Sequence, residues 1–191
     1  SWNHIILDFL KGDSSMRYTI KSGVLYESNS SNILAKIKCP ITGSEKKIYN
    51  AIDKLMLETS IHYPNKSNPD NCDIRNHEYL LTDCEGVLIS TAHPKYAADE
   101  DPTVVGWPIC RMPRVDHANI TINKANFVLT MHNNQNYILT DLSGSEILRI
   151  MHKGISGGWI LDDNYGFNPE ILCGIFTFCR YIEQENEFLI V

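Results

Sequence analysis

The stretch from Ile171 to Cys179 carries no charged residue, and it directly follows Asn168-Pro169-Glu170. That triplet is a strong helix start: Asn can cap free amides, Pro tolerates the first helical position, and an acid sits well near the positive end of the helix dipole. A helix that is apolar on every face has to be buried on every face. Polar relief comes only at Arg180, Glu183, Gln184 and Glu185, so the helix is expected to run to about Glu185, with Asn186 as its C-cap and Phe188 to Val191 as a last strand. Whatever precedes it must therefore surround it.

What precedes it reads as strands. From Arg17 onward, short runs rich in Tyr, Ile, Val, Leu and Thr alternate with Gly, Asn, Asp and Ser, as consecutive antiparallel hairpins do. Tyr18 to Lys21, Val24 to Glu27 and Ile33 to Lys38 form the first set. Tyr79 to Gly86 is echoed by Tyr137 to Gly144, each copy placing an alternating strand before Asp-x-x-Gly. In that turn the Asp side chain can accept backbone amides and Gly can take a positive φ. Second strands follow at Val87 to Thr91 and Glu146 to Met151. Residues 48–62 fit helix or strand, and strand is favoured. Pro64 to Asn76 and Pro94 to Thr103 read as loops, and Trp2, Ile5, Ile6, Phe9 and Leu10 have the spacing of a short N-terminal helix. A barrel wide enough to hold a helix satisfies both halves of the pattern. Gly174 then offers a place for a strand side chain to come close, at about 1 kcal/mol of helix propensity.

The chain of 191 residues is long enough for one domain with a sizeable core, and its net charge of -6 argues against a nucleic-acid partner. Its densest basic group, Lys36, Lys38, Lys46 and Lys47, reads as a solvated hairpin face. No apolar run reaches the length of a membrane-spanning helix. The six cysteines lack C-x-x-C pairs, so zinc and other metals are not expected, nor is a cofactor. With no signal peptide evident, a cytoplasmic protein with reduced thiols is the expectation.

The segment Phe167-Asn168-Pro169-Glu170-Ile171-Leu172-Cys173-Gly174-Ile175-Phe176, with the ending Asn186 to Val191, resembles the close of tubby C-terminal domains and phospholipid scramblases. Asp162-Asp163-Asn164-Tyr165-Gly166-Phe167 is similar to the acidic lead-in of scramblases, and LURP-one-related proteins share the architecture. The resemblance implies one domain over residues 1–191: a closed antiparallel β-barrel enclosing a hydrophobic C-terminal helix. It further implies a non-enzymatic binding or scaffold domain that meets phospholipid headgroups or another protein, peripheral to a membrane. It also suggests calcium for Asp162 and Asp163, although two adjacent acids fall far short of the six to eight oxygens that ion takes, and a solvated turn is favoured.

One sequence cluster supports a different class of function. Residues 106–117 gather Cys110, Arg111, Arg114, Asp116 and His117, where Cys110 and His117 could serve as nucleophile and base and an Arg could hold an anionic substrate. The alternative, a Pro-stiffened loop with locally paired charges, is favoured. His77, His93, His132 and His152 lie near strand ends and read as surface residues. Trp107 and Trp159 suit rim aromatics or an exposed patch, and the glycines of 154–158 suit a turn packed on the barrel rim.

Overall fold

The computed structural model describes residues 16–39, 44–64, 77–96, 115–133 and 135–187. Its strands are β1 Met16–Lys21, β2 Val24–Glu27, β3 Ile33–Lys38, β4 Lys46–Asn50, β5 Leu55–His62, β6 Glu78–Asp83, β7 Leu88–Tyr96, β8 Val115–Ile122, β9 Ala125–Asn133, β10 Asn136–Asp141, β11 Glu146–His152 and β12 Trp159–Asp163. Each strand pairs antiparallel with its neighbours in sequence, and β1 pairs with β12, which closes the barrel. A short 3-10 helix, Gly154–Ser156, lies between β11 and β12, and one long helix, α1 Pro169–Glu187, follows β12.

Alternation of side chains along the strands gives the barrel a wet outside and a dry inside. Leu25, Ala35, Ile48, Leu81, Leu129, Leu139, Leu148 and Leu161 point inward and are fully buried. The outer wall carries Thr19, Lys36, Glu58, Thr82, Asn119, Thr121 and Arg149 among apolar residues such as Leu80, Val128, Ile138 and Ile160. Into the lumen runs α1, 19 residues and so about 28 Å long. Every residue from Ile171 to Cys179 is buried, as an all-apolar helix requires. Gly174 is where α1 meets β6: a Cβ built there would lie 2.6 Å from Leu81 Cδ2.

The hairpins expected at Asp83 and Asp141 are present as β6–β7 and β10–β11. The ambiguous stretch 48–62 holds two strands, β4 and β5, around a turn at 51–54. Three expectations need correction. Pro94 to Tyr96 continue β7 instead of opening a loop; Pro94 stands opposite Ala118, one step from a register shift, where a missing N–H is tolerated. Asp162 and Asp163 end strand β12 and form no solvated turn. Asn186 lies inside α1 and caps nothing: its side chain accepts from Val115 N–H at 3.0 Å and donates to Val115 O at 2.9 Å, pinning the start of β8. The expected N-terminal helix and the expected strand 188–191 lie outside the described residues.

Candidate functional site

Because α1 fills the lumen, a partner must meet the two rims or the outer wall. The rims differ. At the upper rim, where α1 ends, the strand ends are separated in sequence by 63–77 between β5 and β6, 97–114 between β7 and β8, 39–45 between β3 and β4 and 153–158 between β11 and β12, of which 40–43, 65–76 and 97–114 lie outside the described residues. At the lower rim, where α1 begins, the connections are short: 28–32, 51–54, 84–87, 123–124 and 142–145, followed by 164–168 into the helix.

The upper mouth is where α1 turns polar. Tyr181 hydroxyl donates to Ser44 O at 2.7 Å and lies 2.7 Å from Thr59 Oγ1, which then donates to it. Burial pushes the Tyr181 phenol up to about 12. Glu185 accepts from the Tyr79 hydroxyl and from His77 Nε2, the latter at 2.6 Å. Tyr63 stacks on the other side of His77, with centroids 5.5 Å apart, and burial followed by Glu185 raises its phenol. Arg180 pairs with Glu183 and lies 5.2 Å over the Trp159 ring, whose edge contacts are Phe176 and His152. The expectation of a surface residue fails for His77, which is buried against the Tyr63 and Tyr79 rings with Glu185, far away in sequence, as a hydrogen-bond partner. Trp159 packs against the helix and makes no exposed patch. His93 is half-exposed beside Glu78, His132 is exposed, and His152 accepts from Gly154 N–H, so these histidines do not converge. No group of three or more His, Cys, Asp or Glu among the described residues could hold a metal ion.

Of the 106–117 cluster, Cys110, Arg111 and Arg114 lie outside the described residues, as does Trp107. Asp116 and His117 open β8 at the upper rim and bond each other at 2.5 Å, both partly exposed. That is a hydrogen bond between sequence neighbours. Cys173 and Cys179 are buried and their thiols are raised well above the ordinary value, which makes them inert. Gly158 packs as a rim glycine, since a Cβ there would sit 2.6 Å from Ile20 O.

The lower rim is built from one turn used four times. In each, an Asx side chain accepts the amides two and four residues ahead, and the residue three ahead has positive φ. Asp83 Oδ1 accepts from Glu85 and Val87, with Gly86 at φ 82°. Asp141 Oδ1 accepts from Ser143 and Ser145, with Gly144 at φ 87°. The Ser143 hydroxyl, then the Ser145 amide, hold the Asp141 carboxyl below its ordinary range. Asn50 Oδ1 accepts from Ile52 and Lys54, with Asp53 at φ 60°. Asp163 accepts from Tyr165, Gly166 and Phe167, with Gly166 at φ 86°. The buried Asp163 thus has both oxygens committed to the link into α1, and Asp162 is held by Arg17 at 2.6 Å, which leaves no carboxylate pair for calcium. Sequence reading finds two of the four turns; the Asn50 and Asp163 copies follow the same Asx rule.

On the outer wall, Lys36 and Lys38 both reach Asp53, at 2.8 and 3.2 Å, and Lys47 reaches Glu58 at 3.1 Å. Lys38 also lies 4.4 Å over the Tyr49 ring. The hairpin lysines are paired locally, as a solvated face would be. No helix among the described residues is long and apolar enough to cross a membrane. The class that fold and surface define is a twelve-stranded antiparallel barrel filled by the helix that follows its last strand. Comparison of the chain with family models, curated proteins and solved structures finds no match.

Proposed function

We propose that this chain is a non-enzymatic binding module of the tubby and scramblase type, working peripherally at a phospholipid surface. The observation that carries the reading is the enclosed helix. Among the described residues the lumen is occupied by the buried stretch Ile171 to Cys179, so recognition falls to rims and wall. The likeness of residues 162–176 to those families, joined to a barrel closed around that helix, supports the same reading. The polar groups at the upper mouth favour it too: Tyr181, Glu185 and Asn186 are spent on tying α1 to the wall.

Vesicle flotation tests it. The purified chain should rise with phospholipid vesicles in a density gradient. A chain that stays at the bottom with both zwitterionic and anionic vesicles refutes the proposal.

A further inference from the structure

Large exposed apolar side chains are ordinary when scattered singly, but the lower rim, all of whose connections are described, carries seven of them: Met16, Ile33, Ile52, Val87, Leu88, Leu142 and Tyr165. Among the described residues, all of the most exposed ones except Tyr63 and Ile155 belong to the lower rim. Ile52 is 82% exposed and Leu142 75% exposed, each on the tip of an Asx turn. Val87 and Leu88 follow the Asp83 turn, and Tyr165 lies in the Asp163 turn. These turns join β4 to β5, β6 to β7, β10 to β11 and β12 to α1, so the tips are distributed around the ring and do not gather in one groove.

We infer that the lower rim is a bilayer-docking surface, whose apolar turn tips enter the interface of zwitterionic phospholipid. This rests on the membrane-surface reading above and names the face that makes the contact. Three observations select this occupant. Tips separated by the width of a barrel can be met together only by a broad surface that admits side chains one at a time, as the headgroup and acyl boundary does. Most of the turn amides are already accepted, two in each turn by Asn50, Asp83 or Asp141 and three by Asp163, so these tips can leave water with few N–H groups stranded. The charge of the rim excludes recruitment by anionic lipid: Glu27, Asp83, Glu85 and Asp141 have no cationic partner among the described residues and outnumber Lys54 and Lys124, while Arg17 and Arg149 are held by Asp162 and Glu146. The Tyr165 tip is also held in place. Tyr165 stacks on Phe167 at 4.6 Å and meets the edge of Phe127 at 5.6 Å, so little ordering is left to be done on binding.

The probe is a vesicle of phosphatidylcholine alone. The native chain should float with it equally at low and high salt. Ile52→Asp with Leu142→Asp should lower the partition coefficient by about tenfold or more, and the milder Ile52→Ser with Leu142→Ser should act in the same direction with an unchanged melting curve. Ile155→Asp, a fully exposed apolar position on the upper rim, should float like the native chain. Native-like flotation of both double variants overturns the inference while leaving the membrane-surface reading standing. Flotation only with anionic vesicles, reversed by salt, overturns it in the same way. No flotation on any vesicle removes both. An associated chain that the lower-rim variants convert to monomer in sedimentation, without vesicle binding, assigns the rim to a second copy and likewise overturns it.

Discussion

Gly174 lies in the one place where the central helix has no side chain to offer, and Leu81 of β6 fills the gap. Replacing it by Ala adds a methyl carbon 2.6 Å from Leu81 Cδ2 and 3.1 Å from Cδ1, both inside contact distance. Two terms oppose. Ala is favoured over Gly in a helix interior by about 1 kcal/mol. Overpacking a filled core costs about 1 to 3 kcal/mol, and Leu81 is only 1% exposed and has nowhere to retreat. Gly174→Ala should therefore be destabilising by roughly 0 to 2 kcal/mol, although propensity alone predicts a gain. Leu81→Ala alone should cost about 2 to 5 kcal/mol through the cavity it leaves. In the double variant the new methyl enters that cavity, so the two changes should be non-additive, with the pair about 1 to 3 kcal/mol more stable than the sum of the singles. Urea unfolding of the four proteins measures the cycle. Additivity within about 0.5 kcal/mol would mean that helix and strand do not touch there, and the account of the filled barrel would be wrong.

Three further outcomes are expected. Ile175→Asp buries a charge with no partner and should abolish the cooperative melting transition, whereas Phe176→Ala should fold with about 3 to 5 kcal/mol lost; a native-like melting temperature in both would contradict enclosure. Asp163→Ala strips the acceptor from three amides before α1, one of them buried, and should cost about 2 to 4 kcal/mol in chemical denaturation, with Asp163→Asn recovering part of it. Because the Tyr181 phenol is raised to about 12 in the folded chain, the unfolded chain releases that proton first. The corresponding stability is intact below the ordinary tyrosine value near 10 and lost as pH rises from there towards about 12. Tyr181→Phe should flatten the alkaline limb of a stability-pH profile, and an unchanged slope would show that the phenol does not titrate abnormally.

The helix was legible because burial on all faces is written into Ile171 to Cys179 one residue at a time, without reference to any partner. The Asp83 and Asp141 hairpins were legible because their turn chemistry is local. The Asn50 copy hides because Asp53 holds the positive φ usually given to Gly, and the Asp163 copy hides because two adjacent acids before Asn164 read as a solvated turn and not as the end of a strand capping a helix link. His77 could not be read at all: one of its partners, Glu185, lies 108 positions away on the helix that enters the barrel. For the same reason Asn186 reads as a cap, although its amide is committed to Val115 across the upper mouth.

Closure of β1 on β12 also sets an order of events during synthesis. Twelve strands leave the ribosome before the residues that must occupy their middle, and the first strand waits for the last one to supply its second edge. Until Pro169 to Glu187 emerge, the nascent sheet has an unfilled apolar face and two open borders, a state prone to sticking to itself or to other chains. Native contacts across the whole sequence separation make the final step slow compared with forming any single hairpin. This architecture therefore ties its own solubility to translation reaching the helix, and a nascent chain halted before that point should need a chaperone to hold it.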